Sequence, residues 1–188
     1  MMGTTHQMIA LLAAFWVLTQ FPVSIGLGLG VLAIFCVMVG ALTPDLDQPT
    51  ANLFRRTLGG KLVHRLFTVF SGGHRHFTHS ILGIVAIGYL LSLGIQSLLH
   101  PSVHSSAYVL WYAFMIGYIS HPIADTLTDR GVPWLWPLPW DIKIPPGPEE
   151  LRVTTDSFVE RILVRGGIIV AAVLLGISHW QTLLLFFS

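Results

Sequence analysis

The stretch VSIGLGLGVLAIFCVMVGAL, residues 23–42, carries no charge and runs straight into Thr43, Pro44, Asp45, Leu46 and Asp47. A helix rises about 1.5 Å per residue, so a run of this length spans the roughly 30 Å of bilayer hydrocarbon. The two carboxylates then mark where the chain leaves the lipid. The same pattern recurs along the chain, because all 10 Lys and Arg and all 9 Asp and Glu fall within positions 45–75 or 125–165. With 53% hydrophobic and 10% charged residues, against about 25% charged in ordinary soluble domains, the composition excludes a soluble fold.

Working outward, the uncharged blocks supply five apolar runs, at 4–20, 23–42, 80–99, 105–124 and 167–187. These predict an all-α membrane protein, a bundle of about five transmembrane helices forming one integral membrane domain over 1–188. No Lys or Arg precedes the first run and no small-residue cleavage site follows it, so it is expected to be retained. Basic residues collect in two loops: Arg55, Arg56, Lys61, Arg65 and Arg75 in the first, Arg130, Lys143, Arg152, Arg161 and Arg165 in the second. The positive-inside rule then predicts a multi-pass protein of the inner (cytoplasmic) membrane, with its amino terminus and both loops in the cytoplasm.

Within the first loop, Leu53, Leu58, Leu62, Leu66 and Phe70 recur at helical spacing among basic residues, predicting an amphipathic helix on the anionic leaflet. In the second, Trp134, Trp136 and Trp140 among prolines suit the headgroup region. Residues 141–144 and 151–154 alternate about the turn-forming run 145–148 and predict a short β-hairpin. Ser157 and Glu160 have capping-box spacing before the last helix. Gly26, Gly28 and Gly30 fall inside a span and read as close helix packing rather than a nucleotide loop. The net charge of +1 gives no nucleic-acid footprint, so membrane lipids are the expected partners and nucleic acid is not. Cys36 stands alone, which rules out a disulfide framework. Neither a Gly-x-Ser-x-Gly elbow nor a His-Glu-x-x-His motif occurs, which removes two common hydrolase classes.

That topology gathers metal-capable side chains at one membrane depth. His6 opens the first span. Asp45 and Asp47 follow the second, where Pro44 is expected to disfavour helix at Thr43, and an extended segment would face both carboxylates the same way. His74, His76 and His79 precede the third span, and His121 and Asp125 close the fourth one helical turn apart. Imidazole with carboxylate suits a divalent ion, zinc first, with manganese or iron as alternatives, and the set is large enough for two ions. Such a centre activates water and clamps a phosphoryl group, with Arg75 neutralising its oxygens. Each part also has a plainer reading: His6 as a helix cap, the aspartates as a solvated terminus, His121 with Asp125 as a structural hydrogen bond. His64, His100, His104 and His179 lack a carboxylate neighbour or fall on the opposite face, and no role is assigned to them.

The strings LTPDLDQP at 42–49, HRHFTHS at 74–80, GYISHPIADTLT at 117–128 and GVPWLWP at 131–137 resemble the YdjM family. This resemblance, running from His6 to about Glu160, implies a LexA-regulated inner-membrane metal-dependent hydrolase. Matched position by position, it implies His6, Asp45, Asp47, His74, His79, His121 and Asp125 as ligands, with Arg75 and Thr78 beside them. The chain departs from the family at His76, where glycine is usual, and at Asp129, where proline is frequent. The ligand order also resembles, more loosely, the zinc-dependent phospholipase C and single-strand nuclease superfamily. The expected activity is therefore hydrolysis of a phosphoester, possibly lipid, substrate, with Asp45, Arg75 and Asp125 as the catalytic groups and the site on the cytoplasmic side. A metal or proton transporter, and a structural or regulatory protein pinned by its metal, are the alternatives.

Overall fold

The computed structural model describes residues 1–47 and 77–187. Helices form at each of the five expected runs: α1 at Gly3–Gln20, α2 at Gly26–Leu42, α3 at Ile81–Leu98, α4 at His104–Thr126, and a last segment comprising α5 at Arg165–Ser178 and α6 at Trp180–Phe187. Among the described residues no extended strand occurs. Three stretches are long and apolar enough to cross a membrane: Gly26–Asp45, Ile81–Leu98 and Val159–Ser178. The other two helices, α1 and α4, carry polar groups such as His6, Ser120, His121 and Asp125, and these face the protein interior rather than lipid. α4 packs against α1, α2 and α3, so it has little need of an apolar outer surface.

What sets the spacing of this bundle is a crossing of α2 and α4 made without side chains. A Cβ at Gly40 would overlap the Phe114 carbonyl oxygen, and one at Gly117 would overlap that of Val37. Glycine at both positions lets the two backbones touch, as small residues do wherever membrane helices approach closely. Gly26 and Gly28, expected to serve that purpose, have open space around their α-carbons, and Gly26 instead starts the helix at a φ of 73°. Ala10, Ala33, Val37, Ala41 and Ala113 pack into a small apolar core beside the crossing.

Three further expectations change. The chain beyond α2 does not extend at Thr43, which stays helical at φ −61° and ψ −40°. Pro44, lacking an N–H, instead tightens the path into a 3₁₀ turn over Thr43–Asp47. The hairpin about 145–148 is absent, because both of its arms pair with the end of α4 and the segment after it instead. Val132 and Ile142 exchange backbone hydrogen bonds of 3.0 and 2.8 Å, Ile144 donates to Thr126 at 2.9 Å, and Val153 donates to Leu127 at 3.1 Å. The Arg152 guanidinium holds the intervening corner through the carbonyls of Pro145 and Gly147. Finally, the last helix begins earlier than expected, in a π turn at Val159–Val164, and breaks at His179. The amphipathic helix expected at 53–70 lies outside the described residues.

Gly117→Ala is expected to destabilise the protein by about 1–3 kcal/mol, the usual result of overpacking, since the obstacle is backbone that cannot rotate away. Thermal unfolding in detergent, with Gly28→Ala as the variant whose midpoint stays put, checks it.

Candidate metal centre

Each donor is positioned by a different local device. α1 begins at Gly3, and His6 lies in its first turn, with its backbone N–H donating to the Met2 carbonyl at 3.1 Å. Asp45 sits in the 3₁₀ turn that prolongs α2. His79 ends a second 3₁₀ turn at Phe77–His79, which Tyr118 holds by donating its hydroxyl to the Thr78 carbonyl at 2.7 Å. Ser80 then caps α3, accepting from Gly83 at 3.1 Å. A Cβ at Gly83 would overlap the Phe77 carbonyl, so the turn can fold directly onto the helix only over glycine. His121 and Asp125 project one turn apart from the end of α4.

These five residues converge. His79 Nε2 lies 3.2 Å from His121 Nε2, while Asp45 Oδ1 lies 3.6 Å from His121 Nε2 and 3.9 Å from His79 Nε2. Asp125 Oδ2 is 3.7 Å from His121 Nε2, and its Oδ1 is 3.2 Å from His6 Nε2. The His6 and His121 rings stack with centroids 3.6 Å apart and planes 9° from parallel. Donors held at about 2.0–2.2 Å around a tetrahedral ion stand about 3.3–3.6 Å from one another, and the triangle of His79, His121 and Asp45 has edges close to that size. Two overlapping trios, His6 with Asp45 and His121 and His79 with His121 and Asp125, keep their donor atoms within 4.8 Å of one another.

Hydrogen bonding orients the lone pairs inward. His121 Nδ1 lies 2.7 Å from the Ala41 carbonyl, and a carbonyl only accepts, so Nδ1 carries the proton and Nε2 presents a lone pair to the cluster. A backbone or carboxylate partner on the far ring nitrogen is the usual support of a metal-ligating imidazole. On His79 the far nitrogen, Nδ1, meets the Thr78 hydroxyl at 3.1 Å. That hydroxyl accepts or donates, so His79 has two satisfactory tautomers. In one, its Nε2–H donates to His121; in the other, both Nε2 lone pairs converge on a shared cation. His6 has no aligned hydrogen bond from either ring nitrogen among the described residues, which leaves its lone pair uncommitted.

Burial makes this arrangement costly without a cation. His6, His79, His121 and Asp125 are fully buried, and only Asp45 reaches the surface, with 23% of its side chain exposed. Two carboxylates brought close in a dry setting require compensating positive charge. The Met1 nitrogen lies 2.7 Å from Asp125 Oδ1.

Of the ligands expected from sequence, His6, Asp45, His79, His121 and Asp125 thus come together. Asp47 follows in the same 3₁₀ turn, but its side chain, like His74, Arg75 and His76, lies outside the described residues. Thr78, expected beside the ligands, meets His79; the other supporting partners, Ala41 and Tyr118, were not among the expected site residues. The Ala41 carbonyl has no sequence signature at all, whereas Tyr118, three residues before His121, could have been singled out as a polar aromatic on the donor face of α4.

A family model described as the YdjM inner membrane protein matches residues 1–186. The inner membrane protein YdjM of Escherichia coli is 37% identical over 106 residues, which cover 55% of this chain and 48% of that protein, and the Shigella flexneri YdjM protein matches to the same extent. The matched stretch therefore spans about half the length of those two relatives. The uncharacterized protein YvsG of Bacillus subtilis is 32% identical over 129 residues, 68% of either chain. No solved structure shows significant similarity. With the family model running through nearly the whole sequence, and with helices apolar enough to cross a bilayer, the chain belongs to the YdjM inner membrane protein family.

Proposed function

We propose that this protein is a membrane-embedded, metal-dependent hydrolase of phosphoesters, with its site at the cytoplasmic end of a multi-pass bundle. The observation that carries the proposal is the meeting of the His79 and His121 Nε2 atoms at 3.2 Å beside the Asp45 carboxylate. An imidazole nitrogen has one lone pair, so His121 serves one ion. The described donors then complete one centre, around His79, His121 and Asp45, with His6 and Asp125 adjoining it. A second ion would draw on Asp47 or His74 as well. Zinc suits this mixture of nitrogen and carboxylate oxygen, as do manganese and iron. Bound there, the ion would supply Lewis acidity and lower the pKa of a water.

The residues of this chain would do the rest. Asp45, the only donor of the five at the surface, faces the side from which a substrate arrives. Asp125 lies 2.7 Å from the Met1 nitrogen and 3.2 Å from His6 Nε2. Arg75 would neutralise the phosphoryl oxygens through its guanidinium fork. The cytoplasmic orientation is supported by the basic residues: Arg165 touches Thr5, beside His6, so a loop rich in Lys and Arg adjoins the donor end. A lipid phosphoester is the favoured substrate class, because it reaches such a site from the adjoining leaflet.

The full burial of four donors favours a second reading, in which the ion only pins the helix ends. Structural sites are closed, whereas catalytic ones keep an open position. Loss of the ion would then cost stability without any activity being lost.

Purified without chelator, the wild type is expected to carry zinc, manganese or iron, and His121→Ala to carry almost none by elemental analysis. A wild type that neither contains nor takes up these ions would refute the metal centre. Asp45→Asn separates the two readings, with phosphatase and phospholipase turnover and thermal unfolding measured on the same preparations. Hydrolysis predicts lost turnover with retained stability, while a structural ion predicts a lowered melting temperature in a protein with no turnover to begin with.

A further inference from the structure

We infer that Glu160 and Arg165 are positioning residues which clamp the first turn of α1 and thereby hold His6 in the metal centre; the inference rests on the metal-centre reading above. Glu160 is a fully buried carboxylate beside that turn. Its spacing from Ser157 suggested a capping box, and half of one is present: the Glu160 N–H donates to Ser157 Oγ at 3.2 Å. The carboxylate, however, does not return to the Ser157 N–H. Its Oε2 accepts from the Asp156 N–H at 2.7 Å, and its Oε1 accepts from the Met2 N–H, also at 2.7 Å, across 158 residues of sequence.

That contact leads directly to a ligand. The Met2 carbonyl accepts from the N–H groups of Thr5 at 2.9 Å and His6 at 3.1 Å. One peptide unit away, the Met1 nitrogen meets Asp125. The Thr5 hydroxyl accepts from Arg165 Nε at 2.9 Å beside the Glu160 carboxylate, while Arg165 also contacts Met2 Sδ at 3.0 Å. Anion and cation thus grip one helical turn together.

The backbone is bent to permit this. Glu160 and Arg165 are five residues apart, a spacing that an α-helix sends to different faces. Here the Arg165 N–H bonds to the Glu160 carbonyl, closing the π turn at Val159–Val164, and a turn closed five residues on brings the two side chains to one side. Single π turns inside helices are frequent at functional sites. Asp156, at a left-handed φ of 64°, sets the corner that aims its N–H at Glu160, and Arg161 fastens it through hydrogen bonds of 2.8 and 2.6 Å to both carboxylate oxygens. Gln at position 160 would present an NH₂ group to one of two N–H donors, so the clamp needs the carboxylate itself.

The test titrates the whole chain in detergent with Zn²⁺ against a competing chelator, and records Co²⁺ absorption as a ligand-field readout. The proteins are the wild type, Glu160→Gln, Thr5→Val, His6→Ala and the Glu160→Gln/His6→Ala pair. Glu160→Gln is expected to weaken Zn²⁺ binding about 10–100-fold, the range for partners that orient ligands, and to shift the Co²⁺ spectrum towards that of His6→Ala. In the His6→Ala background it should cost little more, because residues acting through one another are not additive. Unchanged affinity in Glu160→Gln, or losses that simply multiply in the double variant, would overturn the clamp while leaving the metal centre standing. A wild type that binds neither ion would instead overturn the metal centre and the clamp with it. Should Glu160→Gln fail to fold, Thr5→Val decides: it removes the hydroxyl at constant volume, and wild-type affinity in it refutes the proposal.

Discussion

Everything at the donor end depends on the contact of two backbones at Gly40 and Gly117. Gly117 lies one turn before His121, and Gly40 directly precedes Ala41. The crossing that brings Gly117 onto the Val37 carbonyl therefore also brings His121 Nδ1 to the Ala41 carbonyl. A methyl group at either glycine would part the helices and remove the acceptor that fixes the His121 tautomer. The close approach is thus a condition for a lone pair to point into the cluster, as well as a packing detail.

Membrane helices gain little from burying apolar surface against one another, since lipid is as apolar as leucine. The distribution of side chains follows that rule. Large residues such as Leu27, Phe35, Val85, Leu90, Val170 and Leu174 face outward, while the largest fully buried side chains include His6, His79, His121, Glu160 and Asp125. The bundle is held by glycine contacts next to the donor end and by polar contacts at that end itself. At the other end, a smaller polar cluster joins Ser92, Gln96 and Tyr108 between α3 and α4. Polar contacts of this kind do the work that an apolar core performs in water, which is why α1, α2, α3 and α4 each end or begin at the donor cluster.

Charge placement and helical spacing made much of this legible from the residues alone. The apolar runs predicted the helices, and the ends of those runs predicted which donors would share a depth. His121 and Asp125 followed from i, i+4 geometry. Other features escaped for identifiable reasons. The bridges from Val132 to Ile142 and from Thr128 to Val153 defeated the hairpin because alternation shows that a segment is extended but not which partner it takes. The 3₁₀ path at Asp45 escaped because Pro44 is compatible with the first turn of a helix as well as with its end. Glu160 was visible as a capping residue, yet its partner Met2 lies at the far end of the sequence, and no local pattern encodes a contact across that separation.

Those long-range ties bear on how the centre is built. The donors come from elements that are mobile in most proteins: the start of one helix, the turn after another, the turn before a third. His121 and Asp125 belong to the helix that packs against α1, α2 and α3. Two of the other three donors are fastened by contacts outside the cluster: His79 by Thr78 and Tyr118, and His6 through Met2 by Glu160. Precision at a metal site comes from such supporting contacts. Their presence around side chains that are buried, ionisable and costly to desolvate is the strongest physical reason to regard the cluster as built for a cation rather than as an accident of helix ends meeting.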